Sequence, residues 1–251
     1  VTFAMTTVTL VTLGLIIVFI FVESVAAFRY ESVTVFGVSV PGLGMFVQTR
    51  WDAVSDPVRY SLLPMVHGTA MVTAIATLVA APLGVAAALF ISEIAPPVVR
   101  EVVKPGIEIL AGIPSIVYGF IGFTIINPWA GDEFALNGGS TYLFVGIVVG
   151  LMALPTVVSV AEDALTSVPD SMKDGSLALG ATEWQSMTSI TLPAAFSGVS
   201  AAVLLGVGRA IGETMAATVM LAGVQRIPEP ITNVFYGYET LTSLIAANYG
   251  N

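Results

Sequence analysis

From Val1 to Phe28 the chain carries one charge, Glu23, and four more long apolar runs follow. About 20 apolar residues suffice to cross the hydrocarbon core of a bilayer as a helix. Helix is the required form, because backbone groups in lipid must bond within their own segment. The runs fall near 2–27, 64–92, 105–126, 142–162 and 198–223. Charged residues make up 10% of the chain and apolar residues 56%, whereas soluble domains carry about 25% charge. We therefore expect an all-α integral membrane protein with five transmembrane helices in a single domain over 1–251, surrounded by lipid. The first run lacks the positive n-region and small-residue cleavage site of a signal peptide and reads as a span. It begins with Val1 rather than Met, so the true start is open.

Composition also removes functions. There is no cysteine, hence no disulfide framework, thiolate metal site or cysteine nucleophile. The chain has 17 acidic and 8 basic residues, a net charge of −9, and no basic patch that could neutralise the phosphates of a nucleic acid. This acidic, lysine-poor balance fits an ordinary acidic membrane protein or a halophilic host whose salt screens the charge. Neither lysine sits in a phosphate-binding loop: Lys104 precedes Pro105 and Lys173 precedes Asp174, without the Gly-x4-Gly-Lys-Ser/Thr frame. Gly206-x-Gly208 lacks the third glycine and the strand of a dinucleotide site. His67 is the one histidine, too few for a metal site, and is expected to be a satisfied side chain near the head of the second span.

Two charges contradict the fifth run. Arg209 and Glu213 lie inside "AAVLLGVGRAIGETMAATVMLAG" (201–223), where each charge costs about 2.5–3.5 kcal/mol on insertion scales. On a continuous helix, residues four apart share a face, so the two are expected to pair. The pair either fixes helix packing or lines a solute path, where intramembrane charges concentrate. Gly208-x-x-x-Gly212 would let a neighbouring helix approach closely. Glu108 stands four residues from Lys104, which predicts a local pair near the interface. Ser115 and Tyr118, in "GIPSIVYG", offer hydroxyls either to a passing anion or to helix packing. Pro82, Gly84, Pro114 and Pro155 mark kinks or close contacts within the runs.

Five spans place loops 28–63, 127–141 and 224–251 on one side, and 93–104, 163–197 and the N-terminus on the other. Arg29, Arg50, Arg59 and Arg226 oppose Arg100, Lys104 and Lys173, a balance that does not orient the chain. Loop 163–197 is too patterned for a connector. Pro169 suits a helix start. Leu177, Ala178 and Ala181 are apolar at helical spacing, and Gly180 can end that helix. Thr182 and Gln185 then match a capping box that opens a second short helix, expected to stop before Pro193. Two such helices would form an interfacial pair on the headgroups or a docking surface for a soluble partner.

The same loop resembles the signature of ABC importer permeases, Glu-Ala-Ala-x3-Gly-x9-Ile-x-Leu-Pro. Asp174-Gly175-Ser176 stands in the opening place, Gly180 follows, and Ile190, Thr191, Leu192 and Pro193 close it. The departure is Gly175, which lowers helix propensity by about 1 kcal/mol against Ala. "LLPMVHGTAMVT" (62–73), "ILAGIPSIVYGFIG" (109–122) and "GRAIGETMAATVM" (208–220) resemble phosphate importer permeases, nearer the PstC type than PstA.

The resemblance implies a type I ABC importer permease fold in a prokaryotic cell membrane, with six spans and a cytoplasmic N-terminus. It implies that Arg209 and Glu213, with Thr214 and Ser115, lie on a phosphate path, and that Asp174, Gly175, Gly180, Ala181, Ile190, Leu192 and Pro193 couple to an ATPase. The implied partners are a PstA-like second permease subunit, a PstB-like ATPase dimer that binds ATP and Mg, and a PstS-like extracytoplasmic phosphate-binding protein. The chain itself is then no enzyme and holds no cofactor. The family has a sixth span beyond "ETLTSLIAANYG", so a truncated C-terminus is expected at Asn251. Leu241, Leu244 and Ile245 predict a short amphipathic helix at the outer interface. The alternatives are a permease for another oxyanion (sulfate or molybdate), a proton-coupled secondary transporter using Glu213, and an intramembrane enzyme. For the last the sequence shows no acid–base or metal constellation.

Overall fold

The computed structural model describes residues 2–27, 32–35, 38–51, 60–136, 139–221 and 226–248. Arg29 and Arg59, residues 222–223 of the fifth apolar run, and Asn251 lie outside the described residues. The chain divides into two units, Val1–Pro64 with Gln225–Ile227, and Met65–Val224 with Pro228–Asn251.

The first unit holds α1 (Thr2–Ala27), an antiparallel hairpin of β1 (Ser32–Val35) and β2 (Val38–Pro41), and the single turn α2 (Gly44–Val47). Ser32 pairs with Pro41 and Val35 with Val38. The Thr7, Thr9 and Thr12 hydroxyls each bond the carbonyl four residues back, at 2.8–2.9 Å, which hides their polarity along an otherwise apolar helix.

The second unit is helical. Its elements are α3 (Leu63–Leu89), α4 (Pro97–Gly112), α5 (Ser115–Ile121), α6 (Asn127–Phe134), α7 (Tyr142–Thr166), α8 (Asp170–Ala178), α9 (Glu183–Ser186), α10 (Leu192–Ala194), α11 (Phe196–Ile211), α12 (Met215–Met220) and α13 (Leu241–Asn248). Wide π turns extend α3 (Phe90–Ile94) and α5 (Gly122–Ile126), and join α9 to α10 (Met187–Thr191). Among the described residues, three helices are long and apolar enough to cross a membrane: Met5–Val25, Leu63–Ile94 and Tyr142–Thr166. Counting each of two bent pairs as one span raises the number to five.

The bends correct the expectation of straight spans. The run read as one helix near 105–126 is broken, with Pro97–Gly112 and Ser115–Phe134 inclined at 86°. Pro114 has no N–H and disfavours helical backbone in the residue before it; Ile113 is accordingly extended, with φ −69° and ψ 126°. Pro82 and Pro155 stay within unbroken α3 and α7. A second bend of 70° separates Glu183–Ala194 from Phe196–Ile211.

α7 is the central column. One cluster gathers Val145, Val149 and Met152 of α7 with Val72 and Ala76 of α3 and Met220 of α12. A second gathers Val157, Ala161 and Leu165 with Ala80 and Ala88 of α3 and Ala202 of α11. Val157 is wedged between two glycines: a Cβ on Gly84 of α3 would lie 2.8 Å from its Cβ, and one on Gly206 of α11 would lie 2.5 Å from its Cγ2. Gly84→Val is therefore expected to destabilise the protein by roughly 1–3 kcal/mol through overpacking. A lowered thermal midpoint in detergent, partly restored by Val157→Ala, checks it.

The close contact expected of Gly208 and Gly212 is made by Gly206 instead. Nothing lies within 4 Å of a Cβ on Gly208, and Gly212 meets only the preceding turn of its own helix.

Candidate functional site

The fifth apolar run is not one helix. α11 ends at Ile211, the chain leaves it through Gly212, Glu213 and Thr214, and α12 starts at Met215. Arg209 and Glu213 consequently share no helix face and form no ion pair, correcting the expected pairing. The Glu213 carboxylate instead accepts the Ala216 N–H at 2.8 Å. The first N–H groups of a helix lack partners, and negative charge is favoured there, so the start of α12 is capped by the carboxylate. Its backbone carbonyl accepts the Thr242 hydroxyl of α13 at 2.7 Å.

Arg209 stands on the exposed side of the last turn of α11, and its guanidinium makes no hydrogen bond or ion pair among the described residues. Other basic side chains are engaged. Arg100 donates to the Ser92 and Ala95 carbonyls at 2.7 and 2.9 Å. Lys104 pairs with Glu162 of α7 at 2.8 Å, not with Glu108 as the four-residue spacing predicted. α4 packs along α7 and brings Glu162, which is buried, within reach. Lys173 pairs with Glu93 at 2.7 Å. Around Arg209 the surface is apolar and bare: Leu204 is 69% exposed, and Leu205, Ile211 and Met215 about half.

Of the other residues expected on a path, Thr214 spends its hydroxyl on the Gly212 carbonyl at 3.1 Å. Ser115 opens α5, half-buried, and its hydroxyl has no hydrogen bond among the described residues. α5 and α12 run alongside each other, with Gly119 against Ala216 and Gly122 against Met220. Ser115 therefore lies at the end of this pair where residues 212–214 break the chain. No hydrogen bond or ion pair joins Arg209 to Ser115, Glu213 or Thr214. The Tyr118 hydroxyl donates to Leu110 O at 3.1 Å, a carbonyl at the Pro114 bend. His67 Nε2 lies 2.7 Å from Ile231 O, with its ring edge-on to Tyr142.

The second constellation is the helical hairpin after α7. Pro169 precedes α8, and Gly180 turns the chain at φ +87°, a left-handed conformation that glycine adopts without steric cost. The capping box is complete: Gln185 N–H donates to Thr182 Oγ1 at 3.2 Å, and Thr182 N–H to Gln185 Oε1 at 2.9 Å. The helix does not stop before Pro193. It runs on to Ala194, because the π turn at Met187–Thr191 alters the bonding ladder in which Pro193 cannot donate.

Asp174, Gly175, Gly180 and Pro193 are exposed, whereas Ala181, Ile190 and Leu192 are half-buried and Leu192 packs on the α7 cluster. The most exposed apolar groups of the hairpin are Leu179, 92% exposed, and Trp184, 66%. Sequence reasoning did not single them out. The available signal was their position on either side of Gly180, at the tip of a turn that polar residues normally occupy.

Residues 80–248 match the family described as binding-protein-dependent transport system inner membrane components. The chain belongs to this family. The match runs from within α3 to the last residue of α13, so every residue expected on the path or in the coupling loop lies inside it, while His67 precedes it. The probable ABC transporter permease protein YqgH of Bacillus subtilis is 41% identical over 202 residues, covering 80% of this chain and 64% of that protein. The phosphate transport system permease protein PstC of Xylella fastidiosa is 32% identical over 228 residues, covering 83% and 69%. PstC of Mesorhizobium japonicum is 30% identical over 227 residues, covering 83% and 68%. The PstC-type resemblance of the motifs thus extends over most of the chain, which spans about two thirds of the length of these relatives.

Proposed function

We propose that this inner-membrane component is a permease subunit of an ATP-driven importer and that its solute is inorganic phosphate. One observation carries the proposal: Arg209 presents a guanidinium that no other described residue shares, on a bare apolar face. A buried or lipid-facing charge without a counter-ion is costly, so this face calls for a second surface with negative charge between, and a passing anion would supply it. Guanidinium is a rigid planar donor that bonds phosphate oxygens in pairs. Glu213 does not pair with Arg209; it caps α12 at the break beside it. Ser115, with its free hydroxyl at that break, is the next polar group a passing anion would meet.

The partners follow from the same reading. A PstA-like permease subunit would supply the facing wall, a PstB-like ATPase dimer the ATP and Mg chemistry, and a PstS-like protein the captured phosphate. The α8–α9 hairpin would seat on the ATPase and so face the cytoplasm, and the family resemblance would put the N-terminus there as well. Alternating access would then follow from rocking of the helices against the partner subunit.

Uptake into vesicles carrying the reconstituted complex tests the proposal. Radiolabelled phosphate should accumulate with internal ATP and not with a proton gradient alone, and excess arsenate should compete where sulfate does not. Proton-driven uptake without the ATPase would make the chain a secondary transporter; equal competition by sulfate would make phosphate the wrong solute.

A further inference from the structure

The α8 arm of the hairpin that carries Leu179 and Trp184 is lightly held, whereas Ser186, Met187 and Thr191 bury the α9 arm. α8 has no buried residue, and among the described residues it reaches other elements through two side-chain hydrogen bonds. Ser176 Oγ to Ser186 Oγ, at 2.7 Å, stays within the hairpin. Lys173 Nζ to Glu93 Oε1, also 2.7 Å, is the one that leaves it. The partners are shielded, with side chains 18% and 14% exposed, so water and salt weaken the pair less than a surface bridge.

Glu93 belongs to the π turn at the end of α3, which Arg100 clasps through the Ser92 and Ala95 carbonyls. Arg100 in turn belongs to α4, and Lys104 fastens α4 to Glu162 of α7. A cavity of about 410 Å³ flanks the Lys173–Glu93 pair, lined also by Leu177, Trp184 and Met187. The ion pair therefore stands at the wall of a half-open groove and not within solid packing.

We infer that Lys173 and Glu93 form a strut that transmits displacement of the α8–α9 hairpin into α3 and α4. Both are positioning residues: neither touches the solute, and both act by keeping the hairpin from moving alone. The inference rests on the reading of the chain as an ATP-driven permease, and extends it by naming the connection through which the motor acts. A shielded pair of opposite charges suits the task, because parting it would leave two poorly hydrated charges without partners, whereas the apolar contacts beside it can slide.

The experiment is a coupling ratio, solute molecules accumulated per ATP hydrolysed, in vesicles carrying the complete complex. Lys173→Met and Glu93→Gln should each co-purify with the ATPase and hydrolyse ATP, yet lower the ratio by roughly fivefold or more. The exchanged pair Lys173→Glu with Glu93→Lys should restore most of it. The chain has no cysteine, so Lys173→Cys with Glu93→Cys can be joined by a short bifunctional thiosulfonate. Joining should raise the ratio above that of the unjoined variant, as a strut requires.

An unchanged ratio in both single variants overturns the inference, as does loss of the ratio on cross-linking, which would mean that the pair must open. A deficit in the single variants that the exchanged pair leaves in place also overturns it. Absence of ATP-driven uptake by the unaltered complex overturns the permease reading itself and is seen before any variant is made.

Discussion

Replacing Arg209 with Gln is expected to abolish anion uptake while the complex still assembles and hydrolyses ATP. Gln keeps a polar side chain that can donate hydrogen bonds but removes the charge and the paired N–H fork. Hydrogen bonds to charged groups are worth about 1.5–3 kcal/mol each, and loss of two of them is a fall of about a hundredfold or more in rate. Arg209→Lys keeps the charge without the planar fork and should recover a minor part of the uptake. Radiolabelled phosphate uptake, set beside co-purification of the partner subunits, separates the possibilities. If Arg209 served only to pair with an acid of a neighbouring subunit, the Gln variant would fail to assemble. If it were idle, uptake would not change. The expectation depends on the absence of a partner for Arg209 among the described residues: had Glu213 held the guanidinium, the first effect of the substitution would fall on this chain's own packing.

The second large effect is expected at the tip of the α8–α9 hairpin. Leu179→Asp should remove the ATPase from the purified complex and with it ATP-dependent uptake. Leu179 is 92% exposed beside the Gly180 turn, so the substitution costs the isolated chain little stability. In a docked complex the same side chain would be enclosed, and a carboxylate there would lose its hydration without a partner. Apolar anchors at the centre of an interface are worth about 2 kcal/mol or more when removed, a weakening of at least thirtyfold or so. Trp184→Ala should act in the same direction. Co-purification of the ATPase with each variant provides the check; full retention in both would remove this face from the docking surface.

The parts of the structure legible in the sequence are those decided by neighbours along the chain. Thr182 and Gln185 form their capping box because both partners lie within one turn, and Gly180 turns the hairpin because its conformation is set by its own missing side chain. The hairpin of β1 and β2 had a local signal too, alternation of valine with Ser and Thr over 32–40, but it lay in a stretch read only as a loop between spans.

What failed was the assumption that an apolar run is one straight helix. Ile113 and Pro114 broke one run, and Gly212 with Glu213 broke another. In the second case spacing suggested an ion pair, whereas the carboxylate found a nearer donor in the Ala216 N–H. Lys104 fails similarly: Glu108 is close in sequence, but Glu162 is brought beside it by the packing of α4 on α7, which no local pattern announces. Periodicity reports which residues can meet on an ideal element; the competing partners come from the tertiary arrangement.

The wedge of Val157 between Gly84 and Gly206 limits how this molecule can move. A branched side chain seated in two notches acts as a key: α3 and α11 cannot slip along α7 without forcing methyl groups through backbone. The three are therefore expected to travel as one piece, and any change of shape is expected to fall at the two elbows, beside Pro114 and at Ala195, where the helices already change direction.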